Sequence, residues 1–289
     1  AWTEESAMLR TMCFEKIRKG RTKDAGTVLG FVLLALILLM AFFPFLFTGK
    51  DPYEQDLMNA LLAPSGEHWF GTDQYGRDVF ARVIYGTGVD LKIGFFAMLV
   101  PFFTGSLIGL LAGYYGGWID AVVMRIQDIM TAFPFTILVI AIITILGPNI
   151  SNLYIAVWLV GWKDYTKLVR SEVLSEKNLD YVQAARVMGF SNLRIMIRHL
   201  LPNTICSAVV YAISDIMMCM LVGASLSFLG LGVQPPIPEW GAMITEGRPF
   251  ILSAWWTCAF PGLALAVTGT ALSLAGEAVS CALTDDGRR

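Results

Sequence analysis

Asp215 is the residue in this chain whose setting asks most of its chemistry. It stands roughly 18 Å into an apolar run, at about 1.5 Å of helix rise per residue, and Met217, Met218, Cys219 and Met220 follow it. A carboxylate at such depth is costly and must face a bundle interior or a water-filled path. Met218 and Cys219 have the i+3 and i+4 spacing that shares a helix face with Asp215. Soft sulfur beside a carboxylate would suit a transition-metal ion. A polar contact from Asp215 to a neighbouring helix, with the methionines as packing, fits the same residues, and both readings stay open. No metal site is assigned. His68 and His199 are the only histidines and sit in separate loops, and no HExxH occurs. Cys13, Cys206, Cys219, Cys258 and Cys281 form no CxxC pair, so neither a disulfide framework nor a zinc site is expected. No GxxxxGK[ST] phosphate cradle is present; Gly49-Lys50-Asp51 lacks the earlier glycine and the hydroxyl residue.

The elements that must hold these residues are membrane helices. The 289 residues are 56% hydrophobic and only 15% charged, with a mean hydropathy of +0.62. A soluble domain carries about a quarter charged residues. Here long charge-poor runs alternate with short polar stretches. Six segments are long enough for the roughly 20 apolar residues that a crossing needs: 26–47, 91–115, 120–146, 150–166, 203–229 and 253–281. The first follows a basic cluster, Lys16 to Lys23, and reads as an uncleaved span. Each must be helical, because lipid offers no partner to a free backbone amide. The expected class is an all-α membrane protein with six transmembrane helices. Pro44, Pro101, Pro134 and Pro261 lie in or near spans and read as kinks. With a net charge of −2, nothing global points to nucleic acid.

Basic residues set the orientation. With a cytoplasmic N-terminus, 16 of the 21 lysines and arginines fall on inside segments and five (Lys50, Arg77, Arg82, Lys92, Arg248) outside. The positive-inside rule selects this topology. It gives a cytoplasmic segment 1–25, a first span 26–47, an extracytoplasmic loop 48–90, a membrane core 91–281 with an inward loop 167–202, and a cytoplasmic tail 282–289. Both termini face the cytoplasm, and 230–252 faces outward. Acids outnumber bases outside, which favours cations near that surface or merely reflects the same rule.

Two stretches bear on packing and motion. Gly105, Gly109, Gly113 and Gly117 repeat every four residues, a face on which helices approach closely. In the inward loop, Tyr181 to Met188 reads as a helix with Ala184 and Ala185 as a contact surface, and Gly189 stops it by allowing a positive φ. A second short amphipathic helix follows (Leu193, Ile195, Met196 and Ile197 against Arg194 and Arg198), and Pro202 is expected to start the fifth span. A cytoplasmic partner could push on such a pair; a solvated connection is the plainer alternative.

The inward loop also carries a family resemblance. Gln183-Ala-Ala-x3-Gly189 through Leu201-Pro202 resembles the EAA loop of ABC-importer permeases, with Gln183 for the usual Glu and His199 for the usual Ile. Arg198-His199-Leu200-Leu201-Pro202-Asn203 is similar to one branch, the dipeptide/oligopeptide/nickel permeases. So are His68-Trp-Phe-Gly-Thr-Asp73 through Arg77-Asp78-Val-Phe-Ala-Arg82, and Leu226-Ser-Phe-Leu-Gly-Leu-Gly232 through Pro238-Glu239-Trp240-Gly241. The three motifs span most of the chain and look like the "C" member of a permease pair.

The resemblance implies a MetI-like type I importer core formed by spans two to six, with a peripheral first span, in a bacterial inner membrane. It implies a homologous "B" permease partner and an extracytoplasmic solute-binding protein docking on the outer loops, where Asp73, Arg77, Asp78, Glu239 and Trp240 are the candidates. It also implies two cytoplasmic ATPase subunits that bind ATP and Mg, so that this chain binds no cofactor and is no enzyme. Their motion would be received at Tyr181, Gln183, Ala184, Ala185, Gly189, Arg198, His199 and Pro202, while Asp215, Met218 and Cys219 are the pathway candidates. The implied cargo is short peptides, with nickel or a metal chelate as the alternative. A proton-coupled carrier would need inverted repeats and more midplane ionisable residues, and an intramembrane enzyme has no catalytic set here.

Overall fold

The computed structural model describes residues 25–284. The basic cluster at 16–23, Cys13 and the expected tail from 285 onward lie outside them. Among the described residues every regular element is helical. They are α1 (Ala25–Phe42), α2 (Val79–Tyr115), α3 (Gly117–Thr131), α4 (Phe135–Leu146), α5 (Ile150–Glu176), α6 (Asp180–Val187), α7 (Asn192–Phe228), α8 (Trp240–Gly247) and α9 (Trp256–Thr284).

Each of the six expected crossing segments is helical, but they are not six alike. α2, α7 and α9 are long and apolar enough to cross a membrane singly. The expected third span is two helices, α3 and α4, bent by 85°. Pro134 causes the break: it cannot donate an i→i−4 bond, and it holds the non-helical N-cap of α4. α1 is shorter. α5 is long, yet carries Lys163, Asp164, Lys167, Arg170, Glu172 and Glu176 on its inner half.

The second span begins earlier than hydropathy suggests. Asp78 caps α2, its carboxylate accepting from Ala81 N at 2.9 Å. The polar turns 79–90 are therefore a helical extension rather than loop. The glycine face of α2 packs on α5. A Cβ at Gly105 would lie 2.3 Å from the Trp162 carbonyl oxygen, and one at Gly109 2.6 Å from that of Thr166. Gly117 is different: its surroundings are open, its φ is +56°, and it opens α3 after the turn.

The larger core joins α2, α5 and α7 through Ile93, Leu153, Val157, Val169 and Leu226. A smaller one gathers Val79, Trp240, Met243 and Trp256 beneath the outer lobe.

Candidate functional site

The inward loop is built by one turn of backbone. α6 ends in a Schellman arrangement: Phe190 N donates to Ala185 O at 3.2 Å and Gly189 N to Arg186 O at 2.9 Å, with Gly189 at φ +77°. Ser191 then caps α7. Pro202 does stand in the first turn of the regular α-helix from Leu201 to Phe228, but the second helix of the loop is not separate from that span. α7 runs unbroken from Asn192 into the span, through a π turn at Met196–Leu200. Leu201 N reaches back to Met196 O, and Pro202, which has no N–H, follows where the register has shifted.

The loop is seated firmly. Tyr114 OH donates to Asn192 Oδ1 at 2.8 Å, the Arg194 guanidinium lies 4.1 Å over the Phe190 ring, and Phe190 stacks on His199. Tyr181 OH donates to Glu176, and Asn203 Nδ2 donates to Glu176 Oε2 at 3.2 Å. Burial, with Glu176 beside it, pushes the Tyr181 phenol up to about 12, so it stays a donor at neutral pH. Ala185 is fully buried with Val182, whereas Ala184, Gln183, Arg198 and Tyr181 are exposed. Ala185 thus packs inward and gives a partner no surface. What the loop does offer is apolar: Val187 is 89% exposed, Met188 and Leu193 62%, and Leu179 and Ile197 about half.

Asp215 makes the polar contact that was one of its two readings. Tyr165 OH donates to Asp215 Oδ2 at 2.8 Å, from α5 to α7. Cys219 is buried, but Met218 faces out, so the sulfurs do not gather round the carboxylate. Among the described residues no group of three or more His, Cys, Asp or Glu could hold a metal ion. Asp215 is the deepest rung, the one farthest from the inward loop, of a polar ladder that the sequence reading missed. Ser207 Oγ donates to Glu172 Oε1 at 2.9 Å, and Asn203 meets Glu176. Asn203, Ser207, Tyr211 and Asp215 recur every fourth residue. That polar period inside an apolar helix was the available signal.

The outer candidates form a closed network. Asp73 accepts from Arg77 Nε at 2.5 Å and from Arg77 N at 3.0 Å. Arg77 and Arg82 both reach Glu246 Oε2 on α8, at 2.8 and 3.3 Å. Asp78 Oδ2 meets Lys50 Nζ at 2.9 Å and His68 Nδ1 at 2.8 Å. Glu239 caps α8, accepting from Gly241 N and Ala242 N at 2.9 and 2.7 Å, and burial pushes its carboxyl above the ordinary range. Trp240 Nε1 donates to Val83 O at 3.1 Å. Asp73, Arg77, Asp78, Glu239 and Trp240 are all buried. They brace the outer lobe and show no side-chain surface to a docking protein. Pairing consumes Asp73, Arg77 and Asp78, and the helix cap consumes Glu239.

Known proteins place this architecture. The chain is 40% identical to the dipeptide transport system permease protein DppC of Alkalihalophilus pseudofirmus, over 93% of this chain and 88% of that one. It is 39% identical to the glutathione transport system permease protein GsiD of Pectobacterium atrosepticum, over 95% and 91%. It is 41% identical to the probable D,D-dipeptide transport system permease protein DdpC of Escherichia coli, over 88% and 85%. In fold it matches the inward facing MetNI methionine ABC transporter at a TM-score of 0.58, with 19% identity over 70% of this chain and 96% of that one. The family model for the binding-protein-dependent transport system inner membrane component matches residues 105–283. The chain belongs to that family of membrane-embedded transport components.

Proposed function

We propose that this chain is one of two permease subunits of a bacterial ATP-driven importer for short peptides, set in the inner membrane with both termini cytoplasmic. The observation that carries the reading is the apolar surface of the inward loop, where Val187, Met188 and Leu193 stand exposed. Such a patch on a soluble face is a protein contact site. Two ATPase subunits, which bind the ATP and Mg, would seat there, and the homologous permease partner would complete the pathway. Peptide cargo is supported by relatives whose names specify dipeptides and glutathione. Because Asp73, Arg77, Asp78, Glu239 and Trp240 are buried, the solute-binding protein would instead meet exposed outer residues such as Met58 and Leu252.

Transmission follows from stiffness. α7 is roughly 55 Å long at about 1.5 Å per residue and begins inside the inward loop. A push on α6 reaches it through the Gly189 turn and the Phe190–His199 stack. The ladder to α5 then ties the inner half of α7 to its neighbour, so the two helices tilt together or break three polar contacts. ATP binding elsewhere would bias two such packings. The test is ATPase activity of the reconstituted assembly with its binding protein. Dipeptides should stimulate it several-fold and Ni²⁺ should not; stimulation by Ni²⁺ alone would reverse the cargo assignment.

A further inference from the structure

The N-terminus of α8 is wedged between α2 and α7. A Cβ at Gly86 of α2 would lie 2.8 Å from Trp240 Nε1 and 2.9 Å from Pro238 O, and one at Gly241 would lie 2.5 Å from the Ala224 backbone of α7. Two carboxyls meet in this wedge. Asp90 of α2 accepts from Trp240 N at 3.1 Å, and Glu239 accepts from Gly241 N and Ala242 N. Asp90 is 1% exposed and Glu239 0%. The two carboxyls take successive amides of one helix end, Trp240 N for Asp90 and Gly241 N and Ala242 N for Glu239, which sets them side by side.

The charges do not balance. α2 supplies Asp90, α8 supplies Glu239, α7 supplies only a hydroxyl, and no ion pair joins either carboxyl to a cation among the described residues. Of the arginines of this lobe, Arg77 and Arg82 are taken by Asp73 and Glu246, and Arg248 lies over the Phe228 ring. Two carboxylates buried side by side with no cation between them repel each other and resist ionising together. One proton held between them lets one carboxyl donate to the other, since an ionised carboxylate only accepts.

We propose that Asp90 and Glu239 share one proton, and that this proton clasps α8, and with it the outer lobe, onto the second helix. The proton is part of the folded structure. Folded protein therefore holds more protons than unfolded protein above the ordinary carboxylate range, and stability falls as pH rises through that window. The shared proton faces the outer side in the proposed topology, so the dependence would follow external pH. Asp90 acts here as a positioning residue: it orients α8 through the Trp240 amide and touches no cargo.

Asp90→Asn is the informative change. Its Oδ1 can still accept from Trp240 N and its Nδ2 can donate to Glu239, which copies the protonated pair without a titrating proton. The assembled transporter in nanodiscs is unfolded thermally across pH 5 to about 9. Wild type should lose stability toward the alkaline end, and Asp90→Asn should flatten that limb while matching wild type at the acid end. The infrared carbonyl band of a buried protonated carboxylic acid should be present in wild type and lost in Asp90→Asn. Should Asp90→Asn fail to assemble, Glu239→Gln carries the same two readouts. An alkaline limb unchanged by the substitution, or no carboxylic acid band in wild type at neutral pH, overturns the proposal. Neither readout depends on the ATPase or peptide assignments.

Discussion

In the lobe around α8, Arg77 and Arg82 are buried and paired, and in the loop between α6 and α7 apolar side chains are exposed. Arg77, Arg82, Asp73 and Glu246 close on one another in the outer lobe. Val187, Met188 and Leu193 stand in the open on the inward loop. Each arrangement is unfavourable for an isolated domain, for opposite reasons. Buried ions cost desolvation and repay it only through complete pairing. Exposed apolar surface repays nothing until something covers it. The charged lobe is therefore finished within this chain, whereas the loop after α6 leaves apolar surface that the proposed partner would cover.

Substitutions can break or sharpen that contrast. The largest effect is expected from Arg77→Ala, which removes the shorter of the two cation contacts from buried Asp73 and Glu246 and leaves both to Arg82 alone; it should cost about 3 kcal/mol, read as a large fall in thermal midpoint and in yield of assembled complex. Gly105→Val comes next. Its first side-chain carbon would strike the Trp162 carbonyl, so α2 and α5 must separate, at about 1–3 kcal/mol. Tyr165→Phe leaves Asp215 without its donor and should cost about 1–2 kcal/mol while slowing transport more than it lowers the melting temperature. Gly189→Val has room for its side chain but not for its backbone angle, and about 1–2 kcal/mol of strain should stay local to the loop. Assembly should survive and ATP hydrolysis should continue without matching transport. Equal loss of assembly would make Gly189 a structural cap only.

These residues also show what was legible in the sequence. The helical class followed from charge-poor runs, and the close approach of α2 followed from glycines at four-residue spacing, because lipid and helix geometry leave few alternatives. Gly189 was legible because only a few residues tolerate positive φ. Burial was not. Asp73, Arg77 and Asp78 look like surface polarity in a loop, and only the fold brings Glu246, remote in sequence, against Arg77. Ala184 and Ala185 are equivalent by type, and a helix's rotation decides that one faces in. The continuity of α7 through Pro202 was hidden because a π turn has no sequence signature comparable to proline's own.

The central claim is that a foreign motor covers the exposed end of α6. Met188→Cys should leave the fold within about 0.5 kcal/mol of wild type, since Met188 is 62% exposed. In inside-out vesicles containing the whole transporter, a short bifunctional reagent at that cysteine should capture an ATPase subunit, and ATP should change the yield. Labelling of Met188→Cys only from the outer side, or capture of no ATPase under either nucleotide condition, would contradict it.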